Sequence, residues 1–303
     1  MSTVALLPAR AATAPRASHI ALLTVTFLIG WRGVLAVTGW RAEFAESSYQ
    51  QNLVRLESYR GRIRGGSATA PVAVIAGTSV AGRLLPEYFE GGPLAGVANL
   101  GLDGASPAFA LEALLRESRQ PHRVLLETYL LHAEAGENER LINTSLASPG
   151  AYLADTDRLF RAETRPSALL YSSLKRGRES RAMGRVAANS EPFGSQAPVD
   201  CALERLTRLI GALRARGCEV VLVDIPIGRD WPPGPNLGEP VASQLTDALG
   251  LRRLDCRAVL RGRGFEPRFT DGLHLDAPSA REVARTLGEL AGALPMLPNL
   301  IAQ

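Results

Sequence analysis

The chain has 303 residues, 46% of them hydrophobic and 21% charged, with a formal net charge of +4. That length and balance fit one large globular domain or two small ones. The positive charge is spread along the chain and is almost wholly arginine, Lys175 being the only lysine; with 6% aromatic residues and no stacking motif, this pattern argues against a nucleic-acid partner.

Taken in chain order, residues 1–18 form an N-terminal tail carrying Arg10 and Arg16, and residues 19–40 an apolar segment, HIALLTVTFLIGWRGVLAVTGW. A bilayer core needs about 20 helical residues, so this segment predicts a single-pass signal-anchor helix, with Trp31 and Trp40 suited to the polar boundaries. Arg32 is the discordant residue, since a mid-membrane arginine costs about 2.5–3.5 kcal/mol on insertion scales. Either it snorkels outward or it meets a partner in the membrane. Cleavage after Ala36 and a buried soluble helix are the two alternatives. An uncleaved anchor places the following domain outside a bacterial inner (cytoplasmic) membrane. Residues 41–70 are polar and helix-prone, then rich in small residues, and are expected to be a juxtamembrane stalk and linker.

From residue 71 the pattern alternates. Strands are predicted at 71–77, 96–101, 122–129, 218–226 and 251–256, and helices at 79–89, 106–118, 201–217, 240–250 and 276–294. Alternation of this kind predicts a parallel sheet covered by helices on both faces, the three-layer α/β/α class, with any site at the carboxyl ends of the strands. Residues 133–200 break the alternation and read as a long insertion, functional or disordered. Its basic run, 174–185, reads as a solvated face or as a surface facing substrate or partner. Cys201, Cys218 and Cys256 form no CxxC pair and suit no zinc site. They read as small buried residues, with a Cys201–Cys218 bridge open to an exported domain. No cofactor or metal motif is visible.

Three short stretches carry chemistry. The first strand runs into Gly77-Thr78-Ser79, which is either plain turn chemistry or a nucleophile presented at a sheet edge. The second is ANLGLDGAS at 98–106. The third is DGLH at 271–274, just before the last helix, where Asp271 can hold the Nδ1–H of His274 and leave Nε2 to take a proton from a serine. Asn99, Glu127 and Thr128, at predicted strand ends, are candidate substrate-binding residues, although Glu127 reads more readily as a structural acceptor and Asn99 as a turn support. Asp224 reads as a strand-end cap, His122 as a surface residue and His132 as a further candidate to face the site.

Together these stretches resemble the SGNH/GDSL hydrolase superfamily over residues 71–294. Gly77-Thr78-Ser79 looks like the family's Gly-Asp-Ser motif with Thr78 replacing the aspartate. Asn99 to Gly104 resembles its second block, and Asp271 and His274 fall on its Asp-x-x-His motif. The resemblance implies a flavodoxin-like sheet, catalytic Ser79, Asp271 and His274, and an oxyanion hole from the backbone N–H groups of Ser79 and Gly104. One departure stands out: the family's Asn after the third strand is absent, and LLETYLLHAE (125–134) occupies that place. The same loss, and an N-terminal anchor, are familiar in relatives of alginate O-acetylation and teichoic-acid D-alanylation. The implied function is serine-dependent acyl-ester chemistry on a cell-envelope or exported carbohydrate, as O-acetyltransferase or acetylesterase. The alternative is a catalytically degenerate subunit that binds polysaccharide or docks onto a membrane-bound acyltransferase.

Overall fold

The computed structural model describes residues 17–40, 42, 47–64, 73–179, 198–228 and 238–295. The chain divides into two compact units, Met1–Trp40 and Arg41–Gln303.

In the first unit, helix α1 spans Ala17–Thr38. Its Ser18–Thr38 stretch is long and apolar enough to cross a membrane. Thr24 and Thr38 are tolerated there because their hydroxyls donate back to the carbonyls of Ile20 and Val34, both at 2.8 Å. The helix ends where Gly39 takes a positive φ and its N–H bonds to Leu35 O.

The second unit is built on five parallel strands, β1 (Ala73–Gly77), β2 (Ala98–Gly101), β3 (Arg123–Glu127), β4 (Glu219–Asp224) and β5 (Arg252–Asp255), in the order β2-β1-β3-β4-β5. The order is that of a flavodoxin-like sheet. The inner strands are continuous apolar runs because both faces are covered, and the period of two sorts their side chains. Val74, Ala76, Val124, Leu126, Val220 and Leu222 enter one core, while Ala73, Ile75, Leu125, Val221 and Val223 enter the other. The first core is closed by α2 (Ser48–Arg64), α3 (Pro107–Leu115), α7 (Val199–Ala215) and α8 (Glu239–Leu249); the second by α9 (Cys256–Gly262) and α10 (Ala277–Gly292). Three helices owe their start to a capping side chain, Ser106 for α3, Asp255 for α9 and Asp276 for α10. The result is the α/β/α sandwich expected.

Four expectations need correction. Residues 79–89 are not an α-helix but two 3₁₀ turns, Ala81–Arg83 and Pro86–Phe89. An α-helix would bond the N–H of residue 86 to Gly82 O, but Pro86 has no N–H, and Gly82 O instead accepts from Arg55 Nη2 at 3.0 Å. Residues 48–64, expected as stalk, fold into the domain as α2. Leu53, Leu56, Tyr59 and Ile63 are buried in the first core, and the polar residues that suggested a solvated stalk are themselves bonded inside, as Glu57 is to the Ala162 N–H. The linker at 67–70 lies outside the described residues.

The insertion is folded where it is described, as α4 (Glu137–Leu146), α5 (Pro149–Thr156) and α6 (Pro166–Glu179). α4 and α5 pack against α2, where Arg60 Nη2 donates to Asp155 Oδ2 at 3.0 Å and Tyr49 pairs with Ser145, while α6 packs on the Ala162–Thr164 turn. Residues 180–197, with much of the basic run, lie outside the described residues. Among the described residues of the second unit, the exposed large apolar side chains, Leu141, Tyr152, Leu153, Phe160, Leu170 and Leu174, all belong to this insertion. Finally, the cysteines are free, but only Cys218 and Cys256 are buried as expected; Cys201 is exposed. Cys201 sits at the start of α7 and Cys218 beyond its end, and a helix of 17 residues separates them by about 25 Å at 1.5 Å per residue, far beyond disulfide reach.

Candidate active site

Ser79 lies in the turn that leaves β1, and its Oγ is 2.7 Å from Nε2 of His274. The other ring nitrogen, Nδ1, is 2.6 Å from Asp271 Oδ2. Asp271 also shapes the loop that carries the histidine, because its Oδ1 accepts from the N–H groups of Leu273 at 3.0 Å and His274 at 2.8 Å. Gly272 supplies the positive φ of this turn, and the loop is closed by Thr270 N–H to His274 O at 2.8 Å and by the Phe269–Leu275 bridge. Burial alone would raise the Asp271 pKa, but the His274 ring, the two backbone N–H donors and the charge of the imidazole hold it well below the usual carboxylate range. Ser79 is nearly buried, the His274 side chain is mostly covered and Asp271 is the most open of the three. Two cavities, of about 180 and 350 Å³, lie along α2, and neither is lined by these three residues.

The turn around Ser79 is braced from beneath by Glu127. This fully buried carboxylate, at the end of β3, accepts from the N–H of Thr78 at 2.8 Å and of Ala81 at 3.1 Å, and from the Thr78 hydroxyl at 3.0 Å. Burial pushes its pKa up to about 7, against the lowering effect of those bonds. The residue that departs from the Gly-Asp-Ser pattern, Thr78, is thus paired with a carboxylate supplied by β3. Gly77 has no side chain for a steric reason: a Cβ there would sit 2.3 Å from Glu127 Oε2 and 2.6 Å from its Cβ.

The backbone N–H groups of this turn are almost all spent internally. Thr78 and Ala81 bond to Glu127, Val80 to Thr78 Oγ1 at 3.2 Å and Gly82 to Thr78 O at 3.0 Å. Ser79 alone has an N–H with no bond among the described residues. The adjoining loop after β2 repeats the pattern. Gly101 bonds to Asn99 Oδ1, Leu102 to Gly77 O, Asp103 to Asn52 Oδ1, Ala105 to Leu102 O and Ser106 to Glu139 Oε1. Here Gly104, exposed and at φ +65°, has the one N–H with no bond among the described residues. β1 and β2 are paired at Gly77–Gly101, so the two loops leave the sheet side by side. A serine hydroxyl in hydrogen-bond reach of an imidazole, a carboxylate orienting that ring and two backbone donors without a bond among the described residues are groups of the kind that acyl-transfer chemistry uses.

The expected substrate-binding residues are committed elsewhere. Asn99 is buried, with Nδ2 donating to Ala81 O at 2.9 Å and Leu84 O at 2.6 Å. Glu127 braces the Ser79 turn, and Thr128 is buried with its hydroxyl 2.5 Å from Asp224 Oδ1. Asp224 in turn holds Arg253, at 2.6 and 2.9 Å. The sheet's interior needs these polar groups to satisfy its strand ends. His122 is exposed, and His132 is buried with no partner for Nδ1 among the described residues. Sequence reasoning missed Asn52, Arg55 and Glu139, the residues that hold the Gly104 loop. The one available signal was the amphipathic spacing of Leu53, Leu56 and Ile63 in a segment read as stalk. Among the described residues no three His, Cys, Asp or Glu side chains gather as a metal site requires.

No family model matches the chain, and no curated protein matches it. Among solved structures it is similar to one from Bacteroides fragilis NCTC 9343 described as a “putative acylhydrolase”, at 13% identity and a TM-score of 0.40, covering 79% of this chain and 93% of the other. At that score the likeness carries no weight beside the geometry.

Proposed function

We propose that the protein is a serine-dependent acyl-transfer enzyme of SGNH type, acting on acyl esters of a carbohydrate. The observation that carries this reading is the Ser79–His274–Asp271 relay, with contacts of 2.7 and 2.6 Å. Ser79 Oγ attacks the ester carbonyl while His274 Nε2 takes its proton. Asp271 keeps the other proton on Nδ1 and stabilises the imidazolium. The oxyanion is received by the Ser79 and Gly104 N–H groups, each donor of this kind being worth roughly 2.7–4 kcal/mol. The carbonyl re-forms, the C–O bond to the leaving alkoxide breaks, and His274 returns the proton to it. The acyl-enzyme then passes its group to water, as an esterase, or to a sugar hydroxyl, as an O-acetyltransferase.

The same reading places α1 in a bacterial inner membrane with the second unit outside the cytoplasm, and the insertion's exposed apolar side chains as the surface that meets an acceptor or a membrane-bound acyltransferase. The deciding test is hydrolysis of a chromogenic acetyl ester by the full chain in detergent. Release that disappears in Ser79→Ala, with a Ser79-linked acyl group trapped by mass spectrometry, supports the reading. Adding oligosaccharide acceptors then separates transferase from esterase. A folded wild type without Ser79-dependent release, also when supplied with its membrane fraction, favours the docking subunit instead.

A further inference from the structure

We propose that Asn52 and Arg55 of α2 are positioning residues of the active site, and that Asn52 sets the direction of the Gly104 N–H. The inference deepens the acyl-transfer reading and rests on it.

The argument begins with the planarity of the peptide bond. The carbonyl of Asp103 and the N–H of Gly104 belong to one trans peptide unit and point in opposite directions. Whatever fixes Asp103 O therefore aims the Gly104 N–H. Asn52, fully buried, does so with a two-sided clamp: its Nδ2 donates to Asp103 O at 2.9 Å and its Oδ1 accepts from the Asp103 N–H at 2.7 Å. Gly104, with φ +65°, has no Cβ to resist rotation of that peptide. Without the clamp, Asp103 O keeps only the 3.5 Å bond from Asn138 Nδ2, too long to hold the unit against a flip that turns the N–H away from the site.

Arg55, one turn along α2, fastens the base of the same loop. Its guanidinium donates to the Asp103 carboxylate at 2.8 Å, to Gly82 O at 3.0 Å and to Gly101 O. One planar group thereby ties the turn after Ser79 to the loop before Gly104, fixing the spacing of the two uncommitted N–H groups. Glu139 of α4 closes the far side by accepting from the Ser106 N–H at 2.6 Å. The helix that follows the apolar N-terminal segment is thus part of the catalytic apparatus rather than a tether.

The test uses the full chain in detergent with Asn52→Ala, Asn52→Asp, Arg55→Ala and Arg55→Lys, each first compared with wild type by circular dichroism. Asn52→Asp keeps the size and the acceptor but removes the donor to Asp103 O. The expected result is that both Asn52 variants lower kcat by about 100-fold, the scale of one lost oxyanion donor. KM should stay within about threefold, since ground-state binding is untouched. Arg55→Lys is expected to restore part of what Arg55→Ala loses. A folded Asn52→Asp protein with wild-type kcat overturns the proposal, as does a loss expressed only in KM. Should the wild type show no Ser79-dependent turnover, the catalytic reading fails separately. Amide hydrogen exchange then decides the clamp: faster exchange across residues 101–106 in Asn52→Ala upholds it, and unchanged exchange overturns it.

Discussion

Ser79 Oγ and His274 Nε2 stand 2.7 Å apart although 195 positions separate them in the chain. β1 lies inside the sheet, and the loop entering α10 is held over its carboxyl end by Asp271 and by hydrogen bonds of its own. If this contact is a proton relay, Ser79→Ala and His274→Ala should each remove nearly all ester turnover. The double variant should be no worse than either single one, because members of such a unit are not additive. Asp271→Asn, which leaves the imidazole in the wrong tautomer, should lose on the order of 10⁴ in kcat. Steady-state kinetics on the four proteins check this.

Glu127 gives a pH dependence of stability whose sign follows from its burial. Its pKa rises from 4.5 to about 7 on folding, so the folded state holds the proton more tightly than the unfolded chain. Its contribution is therefore fully present below about pH 4.5 and is lost as pH rises through about 7. Thermal melts at about pH 5 and about pH 8 should show a fall that is smaller in Glu127→Gln. Glu127→Ala leaves the Thr78 and Ala81 N–H groups without an acceptor, at a cost of about 1–3 kcal/mol for each buried group, and should loosen the Ser79 turn at both pH values.

Gly101 is required by backbone contact. A Cβ there would lie 2.1 Å from Gly82 N and 2.6 Å from Ala81 C, and neither can move without displacing the Ser79 turn. Gly101→Ala should destabilise by about 1–3 kcal/mol, the usual cost of overpacking, and reduce turnover more than Gly211→Ala, where no such contact exists and the backbone is helical. Chemical denaturation and kinetics on the two variants make the comparison.

A form lacking the apolar N-terminal helix should begin near residue 41, so that α2 is kept. Starting at 67 removes Leu53, Val54, Leu56, Tyr59 and Ile63, all buried in the first core. Each such side chain contributes about 1.5–3 kcal/mol, so the loss approaches the whole 5–15 kcal/mol of a typical domain. The shorter chain is expected in the insoluble fraction and the longer one to melt cooperatively, as scanning calorimetry will show.

Much of the architecture was legible because its causes are local. Short β-branched runs such as VVLV at 220–223, alternating with helical stretches, indicate buried parallel strands, and the stripe of Leu206, Leu209, Ile210 and Leu213 on α7 fixes a helix face. What failed locally was the polar material. α2 read as solvated because Asn52, Arg55 and Glu57 are polar, and the backbone groups they bond to come from residues 27 to 105 positions away. Thr128 read as a candidate substrate-binding residue for the same reason, whereas Glu127 is the structural acceptor that its strand-end position suggested.

The sequence by itself determined the alternating α/β order, the apolar N-terminal helix and the three short stretches that hold Ser79, Gly104 and Asp271 with His274. Periodicity and turn chemistry are properties of neighbouring residues, so they need no fold to be seen. Only the tertiary structure decided which backbone N–H groups remain uncommitted. A hydrogen bond is a property of two partners, and for the loops after β1 and β2 those partners arrive from β3, α2 and α4. Every neighbouring N–H in those two loops finds one, and the two without a bond among the described residues are those of Ser79 and Gly104.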